Sequence, residues 1–361
     1  MGKEKSLYLP GLNGIRAVAA MTVLFGHIFS PFGDWGLNPL SFHIPLPEEP
    51  VTTFFVISGF LITYLLMNEK GKTNNVKISK FYMRRILRIW PLYYVYMLLT
   101  IGVLVWLKFS IDESVWYYTL FSGNISFALG IGLIPLYHYW SLGVEEQYYL
   151  WYPWVAKYGE KHILTIVLVL CLLWFVVKIG SYVFLGKGFI YRILNITRFD
   201  CMLIGASGAI LYYKKYNWFI KFCSNKWTCV ISWILFFCSG FYATYIPAPI
   251  RAEFIALISL IVIMSGLVNK PILENRIMNY LGKISYGIYV IHPLLIFTGS
   301  YFTKKYELLV NCNGMHYFVF LFSVSLTIIL AALSYKYLEM PFLRLKNRFA
   351  VIKSTNEKQY C

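Results

Sequence analysis

The sequence predicts an all-α membrane protein: about ten transmembrane helices around a buried polar channel, with both termini in the cytosol. Of its 361 residues, 58% are hydrophobic and only 14% are charged. Soluble domains run at about 45–50% apolar and about 25% charged. Aromatic residues make up 19% and gather near segment ends, where interfacial belts form. Lysine and arginine concentrate in alternate connections, which assigns those connections to the cytosolic side. The net charge of +17 therefore describes topology, so the expected partner is bilayer lipid and no nucleic acid. Seven cysteines sit mostly inside apolar segments (Cys171, Cys201, Cys229, Cys238). No CxxC or Cys/His ligand spacing occurs, and neither a disulfide framework nor a metal site is expected.

In chain order, the apolar segments run at about 13–31, 51–68, 89–107, 143–156, 163–185, 199–213, 228–247, 252–268, 278–301 and 317–336. The fourth and sixth are short, which suits tilted or partly spanning helices. The cytosolic connections hold Lys3 and Lys5, the run from Lys70 to Arg88, Lys157 and Lys161, Lys214 to Lys226, Lys270 and Arg276, and the tail from Lys336 onward. The opposite side holds only Lys108, Lys187, Arg192, Arg251, Lys304 and Lys305. The outer connection 108–142 is rich in aromatics and glycine and lacks a clear span. In-plane or re-entrant structure is expected there, where protein or water covers the backbone. The domain reading is a membrane domain over 1–345 and a cytosolic tail over 346–361, with no appended soluble domain and no cleavable signal peptide.

The first segment organises the rest. Arg16 and His27 are eleven residues apart in LNGIRAVAAMTVLFGHIF, about three helical turns, so they share one face across about 16 Å. Ionisable groups inside lipid are costly and normally face a polar cavity. The pair reads as a channel with a cationic mouth and an imidazole at its floor. His27 is either a hydrogen-bonded interior histidine or a reactive one. If reactive, it could take a proton from an attacking hydroxyl or itself carry an acyl group.

Arg84, Arg85 and Arg88 precede the third span, and Arg85 and Arg88 share a helix face. They read either as a topological anchor on anionic lipid or as a phosphate site, for which guanidinium forks are suited. The stretch HYWSLGVEEQYYLWYPW, from His138 to Trp154, carries the adjacent acids Glu145 and Glu146, followed by Gln147. Neighbours on a helix point about 100° apart, so one acid at a time faces a given cavity. That acid could orient His27 as in triad chemistry, or the group could simply lie near a helix N-terminus. Tyr137, Trp140, Tyr148 and Tyr149 suit either sugar stacking or belt positions, and Ser141 joins the supporting set. Arg198 and Asp200 open the sixth span as an ion pair or as partners for these acids. His292-Pro293 interrupts the ninth span and frees backbone carbonyls. Glu339 is placed to meet a cytosolic-side arginine, and Ser58-Gly59 in FFVISGFLI suits close helix packing.

Taken together, several stretches resemble the acyltransferase 3 family of integral-membrane acyltransferases. They are Arg16 with ten residues before His27, FFVISGFLI, RRILRIWP, YWSLGVEEQYYLWYP, RFDCMLIGA, YGIYVIHPL and YLEMPF. They occur in the family's order and cover nearly the whole chain. The resemblance implies ten helices around an acyl-CoA channel in the inner (plasma) membrane. It implies transfer of an acyl group, most often acetyl, from cytosolic acetyl-CoA or another acyl-CoA to a hydroxyl of a glycan or glycolipid, and a homo-oligomer is compatible with it. It assigns His27 as the catalytic residue, with Glu145 beside it. Arg16, Arg85 and Arg88, with Arg84, fall to the CoA side. Tyr137, Trp140, Ser141, Glu146, Gln147, Arg198, Asp200 and His292 fall to substrate and support. Gly143 and Phe199 stand where alanine and leucine are common in the family. Some relatives append a hydrolase-like domain, and its absence from the reading favours direct transfer. A glycan or lipid transporter is the rival, since buried charges also line translocation pathways.

Overall fold

The computed structural model describes residues 9–29, 50–268, 273–306 and 315–351. It is all-helical, with no strand among the described residues. Ten long helices carry the fold: α1 (Leu12–Phe29), α2 (Pro50–Thr73), α3 (Ile78–Trp106), α4 (Tyr139–Tyr158), α5 (Ile163–Leu185), α6 (Phe199–Tyr213), α7 (Lys226–Phe237), α8 (Ala248–Val268), α9 (Arg276–Lys305) and α10 (Met315–Ser334). Eight helices among the described residues are long and apolar enough to cross a bilayer. The count is nine if Lys226–Phe237 and Ser239–Tyr245, bent by 58°, form one span. The expected span at 143–156 lies in α4, which is outside that set. Its polar run Glu145-Glu146-Gln147 is shielded by neighbouring helices.

Local chemistry starts several of these helices. The Asn225 side chain accepts from the Trp227 and Thr228 amides to cap α7, and Asn275 accepts from the Met278 amide to cap α9, the usual role of asparagine at a helix start. The expected sixth span is a broken helix. Phe189–Thr197 joins α6 through Arg198, whose φ of 45° is left-handed, uncommon for a residue other than glycine. Between α3 and α4 the aromatic connection folds as short helices, Ser114–Thr119 and Gly123–Leu129, ahead of a 3-10 turn at Ile134–Leu136.

Small residues decide which helices touch. A Cβ on Gly59 of α2 would stand 1.9 Å from the Met202 carbonyl oxygen of α6, and one on Gly205 would stand 2.1 Å from the Val56 oxygen. Backbones thus meet directly, as in small-residue packing between membrane helices. The α1–α9 pair uses the same device, with Gly282 against the Asn13 carbonyl. Gly59→Ala is therefore expected to destabilise the folded protein by about 1–3 kcal/mol through overpacking. A thermal shift in detergent would check this, and an unchanged midpoint would contradict it.

Buried charge joins α5, α6 and α8. Lys178 of α5 bonds Asp200 of α6 at 3.1 Å and also contacts Glu253 of α8. Removing one member of such a set leaves an uncompensated charge in a low-dielectric interior. Asp200 is thus paired with Lys178, neither with Arg198 nor with the acids of α4.

Candidate active site

Because α1 is one uninterrupted helix, Arg16 and His27 do lie on a common face about 16 Å apart. They open into different cavities. Arg16, Arg85, Arg88, Glu145 and Tyr149 line a narrow chamber of about 90 Å³. His27 lines a roomier one of about 670 Å³ with Phe127, Tyr137, His138, Trp140 and Lys304, within the size range of ligand sites. A third cavity, of about 60 Å³, lies beside Glu69, Arg84 and Lys346. The cavities form a series: the third shares Ile62, Arg85 and Arg88 with the arginine chamber. The arginine chamber in turn shares Val51 and Tyr289 with the histidine chamber. The single channel expected from sequence is therefore divided. His27 does not sit at the floor of the arginine chamber, because the side chains of Val51 and Tyr289 stand between them.

The arginines fall into two kinds. Arg84 donates to Glu69 at 2.9 Å and to the Phe349 carbonyl at 3.0 Å, which ties α3 to α2 and to the segment after α10. Arg16, Arg85 and Arg88 form no ion pair with any described residue. Arg85 lies between the rings of Phe81 and Tyr149 at 5.6 and 5.5 Å, and its Nε has no hydrogen-bond partner. Three cations around one chamber with a single acid on its wall form a site for an anion, and planar guanidinium forks fit phosphate oxygens.

That acid is Glu145, and its place corrects the expected triad. Its carboxylate accepts from the Ser58 hydroxyl at 2.8 Å and from the Tyr149 hydroxyl at 3.1 Å in the arginine chamber. Glu146, one position on, receives the Trp90 indole N–H at 3.4 Å. Gln147 bonds Asn124 and the Phe121 carbonyl, fastening the aromatic connection to α4. Ser141 bonds the Tyr289 hydroxyl at 2.6 Å. Glu339, in a π-helical turn over Tyr335–Glu339, makes no ion-pair contact with a described arginine. It lies within electrostatic reach of Arg88, the kind of cytosolic-side partner the sequence suggested.

The partner of His27 is His292, with Nδ1 of the first 2.8 Å from Nε2 of the second. His292 is fully buried, and its Nδ1 lies 2.9 Å from the Ile288 carbonyl. A carbonyl only accepts, so His292 Nδ1 carries the hydrogen and its Nε2 is the acceptor. His27 Nδ1 must then donate, which leaves the lone pair on His27 Nε2. His27 is exposed to its chamber, so that lone pair belongs to the one imidazole of the pair that a ligand can reach. An imidazole with a fixed tautomer and a free nitrogen can act as base or nucleophile.

Around it, Tyr137 and Trp140 line the histidine chamber as expected. Tyr148 is buried in a stack on Tyr152, and Tyr149 lies on the arginine side, so neither joins them. Arg198 supports Trp140 from behind: its guanidinium lies 5.6 Å from that ring and donates to Thr52 at 2.7 Å. His138 and Tyr289 also line this chamber, and neither is among the site residues read from the sequence. Tyr289 was within reach, since it stands three residues before His292 on the same helical face.

Membrane-length helices around an arginine chamber and a histidine pair define a multi-pass membrane protein with a buried polar site. The chain belongs to the acyltransferase 3 family, described as an acyltransferase domain, which it matches over residues 9–335. A relative from Staphylococcus aureus strain COL, provisionally named an O-acetyltransferase, is 27% identical over 384 residues, covering 94% of this chain and 58% of the relative. O-acetyltransferase OatA of Staphylococcus aureus strain NCTC 8325 is 25% identical over 371 residues, covering 92% of this chain and 57% of that protein. The chain thus spans a little over half the length of these relatives. No solved structure matches it.

Proposed function

We propose that the protein is a membrane-embedded O-acyltransferase, moving an acetyl or other short acyl group from cytosolic acyl-CoA to a hydroxyl of a glycan or glycolipid. The observation that carries this reading is the cavity series, which leads from unpaired arginines to an imidazole with a free nitrogen. In this reading ten helices span the cell's inner membrane, with both termini and the arginine side facing the cytosol. The named activity of the relatives supports the same class.

Arg16, Arg85 and Arg88 hold the phosphates of the donor, and the arginine chamber receives its arm. His27 Nε2 removes the proton of the acceptor hydroxyl while that oxygen bonds to the thioester carbonyl carbon. The C–S bond then breaks, and the same nitrogen returns the proton to the departing thiolate. Should Nε2 itself attack the carbonyl, the C–S bond breaks to release the thiolate and an acyl-imidazole forms. The acceptor oxygen then takes the acyl group, the C–N bond breaks, and the hydroxyl proton passes to the thiolate. Trp140, Tyr137 and Phe127 offer faces on which sugar rings stack in the histidine chamber.

Incubating the purified protein with radiolabelled acetyl-CoA and an envelope glycan extract tests the proposal. Label should reach the glycan in a His27-dependent manner; glycan movement across vesicles without label transfer would favour a transporter instead. Replacing Arg85 and Arg88 together by alanine should weaken CoA binding by about 10- to 100-fold, the scale of one or two lost charge-assisted hydrogen bonds. The acceptor KM should stay unchanged. Isothermal titration with CoA checks this, and unaltered affinity would refute the phosphate assignment.

A further inference from the structure

Among the described residues only Val51 and Tyr289 line both the arginine chamber and the histidine chamber. Tyr289 is only 7% exposed, and its ring packs against residues on both sides. On the arginine side it faces Phe54, with centroids 6.0 Å apart, and on the other side it faces His292 at 6.0 Å. Its hydroxyl lies 2.6 Å from Ser141 Oγ and donates to the His138 carbonyl at 3.1 Å. The ring is thereby latched to the start of α4. Tyr289 and His292 are three residues apart on α9, a rise of about 4.5 Å. A group that passes the tyrosine therefore arrives at the histidine pair.

The helix is weakened at this residue. Proline lacks the amide hydrogen that would bond the carbonyl four residues earlier, and for Pro293 that carbonyl belongs to Tyr289. The next amide, of Leu294, donates to the Tyr96 hydroxyl at 2.9 Å. A missing rung of this kind is where helices bend.

We propose that Tyr289 is a gate: the bulk of its ring, independent of its hydroxyl bonds, separates the chambers, and its displacement admits only short acyl groups to His27. The separation follows from geometry alone, while the selection of acyl groups rests on the acyltransferase reading.

Two measurements test these parts separately. In membrane vesicles of both orientations, a membrane-impermeant thiol reagent should modify a His27→Cys variant, above the level of the parent chain, only from the face onto which the histidine chamber opens. Adding Tyr289→Ala should raise modification from the opposite face at least tenfold, whereas Tyr289→Phe, which keeps the ring, should leave it within twofold. Equal modification from both faces before Tyr289 is changed, or no change with Tyr289→Ala, overturns the gate. Neither donor nor acceptor is needed, so this result stands whatever the reaction.

The second measurement compares kcat/KM for butyryl-CoA and acetyl-CoA. Their ratio should rise at least tenfold in Tyr289→Ala and stay unchanged in Tyr289→Phe. A constant ratio, or loss of all transfer by a folded Tyr289→Ala protein, overturns the selection. Tyr289→Leu repeats both measurements if the alanine variant fails to fold. A parent protein that transfers no acyl group at all would overturn the acyltransferase reading, and selection with it, leaving the labelling to decide the gate.

Discussion

Replacing His27 with alanine is expected to lower acyl transfer by at least about 10²- to 10⁴-fold, the usual contribution of a positioned general base. The effect should fall on kcat, because His27 lies in the roomy chamber and the cations lie in the narrow one. CoA affinity, measured by titration on the same preparation, should therefore match the parent. A variant that retains transfer within tenfold would remove the imidazole from the mechanism. The two routes open to Nε2 also separate here. Mass spectrometry of the parent incubated with acyl-CoA and no acceptor would reveal an acylated His27 peptide if the imidazole carries the group, and none if it acts as base.

Substituting His292 should have the second-largest effect, although it lies beyond reach of any substrate. Its ring holds His27 Nδ1–H at 2.8 Å and is itself fixed by the Ile288 carbonyl at 2.9 Å. With His292→Ala the donor on His27 loses its acceptor, so the imidazole is free to rotate or to place its hydrogen on the catalytic nitrogen. Loss of tautomer control costs about 10⁴-fold in the serine protease triad, where the partner is a carboxylate. A neutral partner stabilises the imidazolium less, and about 10²-fold in kcat is expected here. His292→Gln, whose side-chain oxygen can accept the same hydrogen, should recover part of that loss. A packing role alone would give no such difference between alanine and glutamine variants of equal thermal stability.

Much of the architecture was legible in the sequence, because lipid imposes a simple rule on the chain. Long apolar runs must be helical there. The Arg16–His27 spacing likewise translated directly into a shared face, since both residues belong to one helix. The ordered family stretches were legible too, and the match over residues 9–335 bears them out. The roles of the acids were not. Glu145 was expected beside His27, yet it bonds Ser58 and Tyr149 on the arginine side. Arg84 was grouped with Arg85 and Arg88, but Glu69 neutralises it. In both cases the deciding partner lies on another helix, and sequence spacing carries no information about contacts between helices.

The sequence by itself determined the membrane class, the helical segments, the basic cluster and the histidine that shares a face with Arg16. Those depend on composition and on the 1.5 Å rise within a single helix. Only the tertiary structure decided that His27 is paired with His292, 265 positions away, and that Val51 and Tyr289 line both the arginine chamber and the histidine chamber. The physical reason lies in the α1–α9 contact. Gly282 lets the two backbones meet at Asn13, and the helices stay packed together as far as the paired imidazoles.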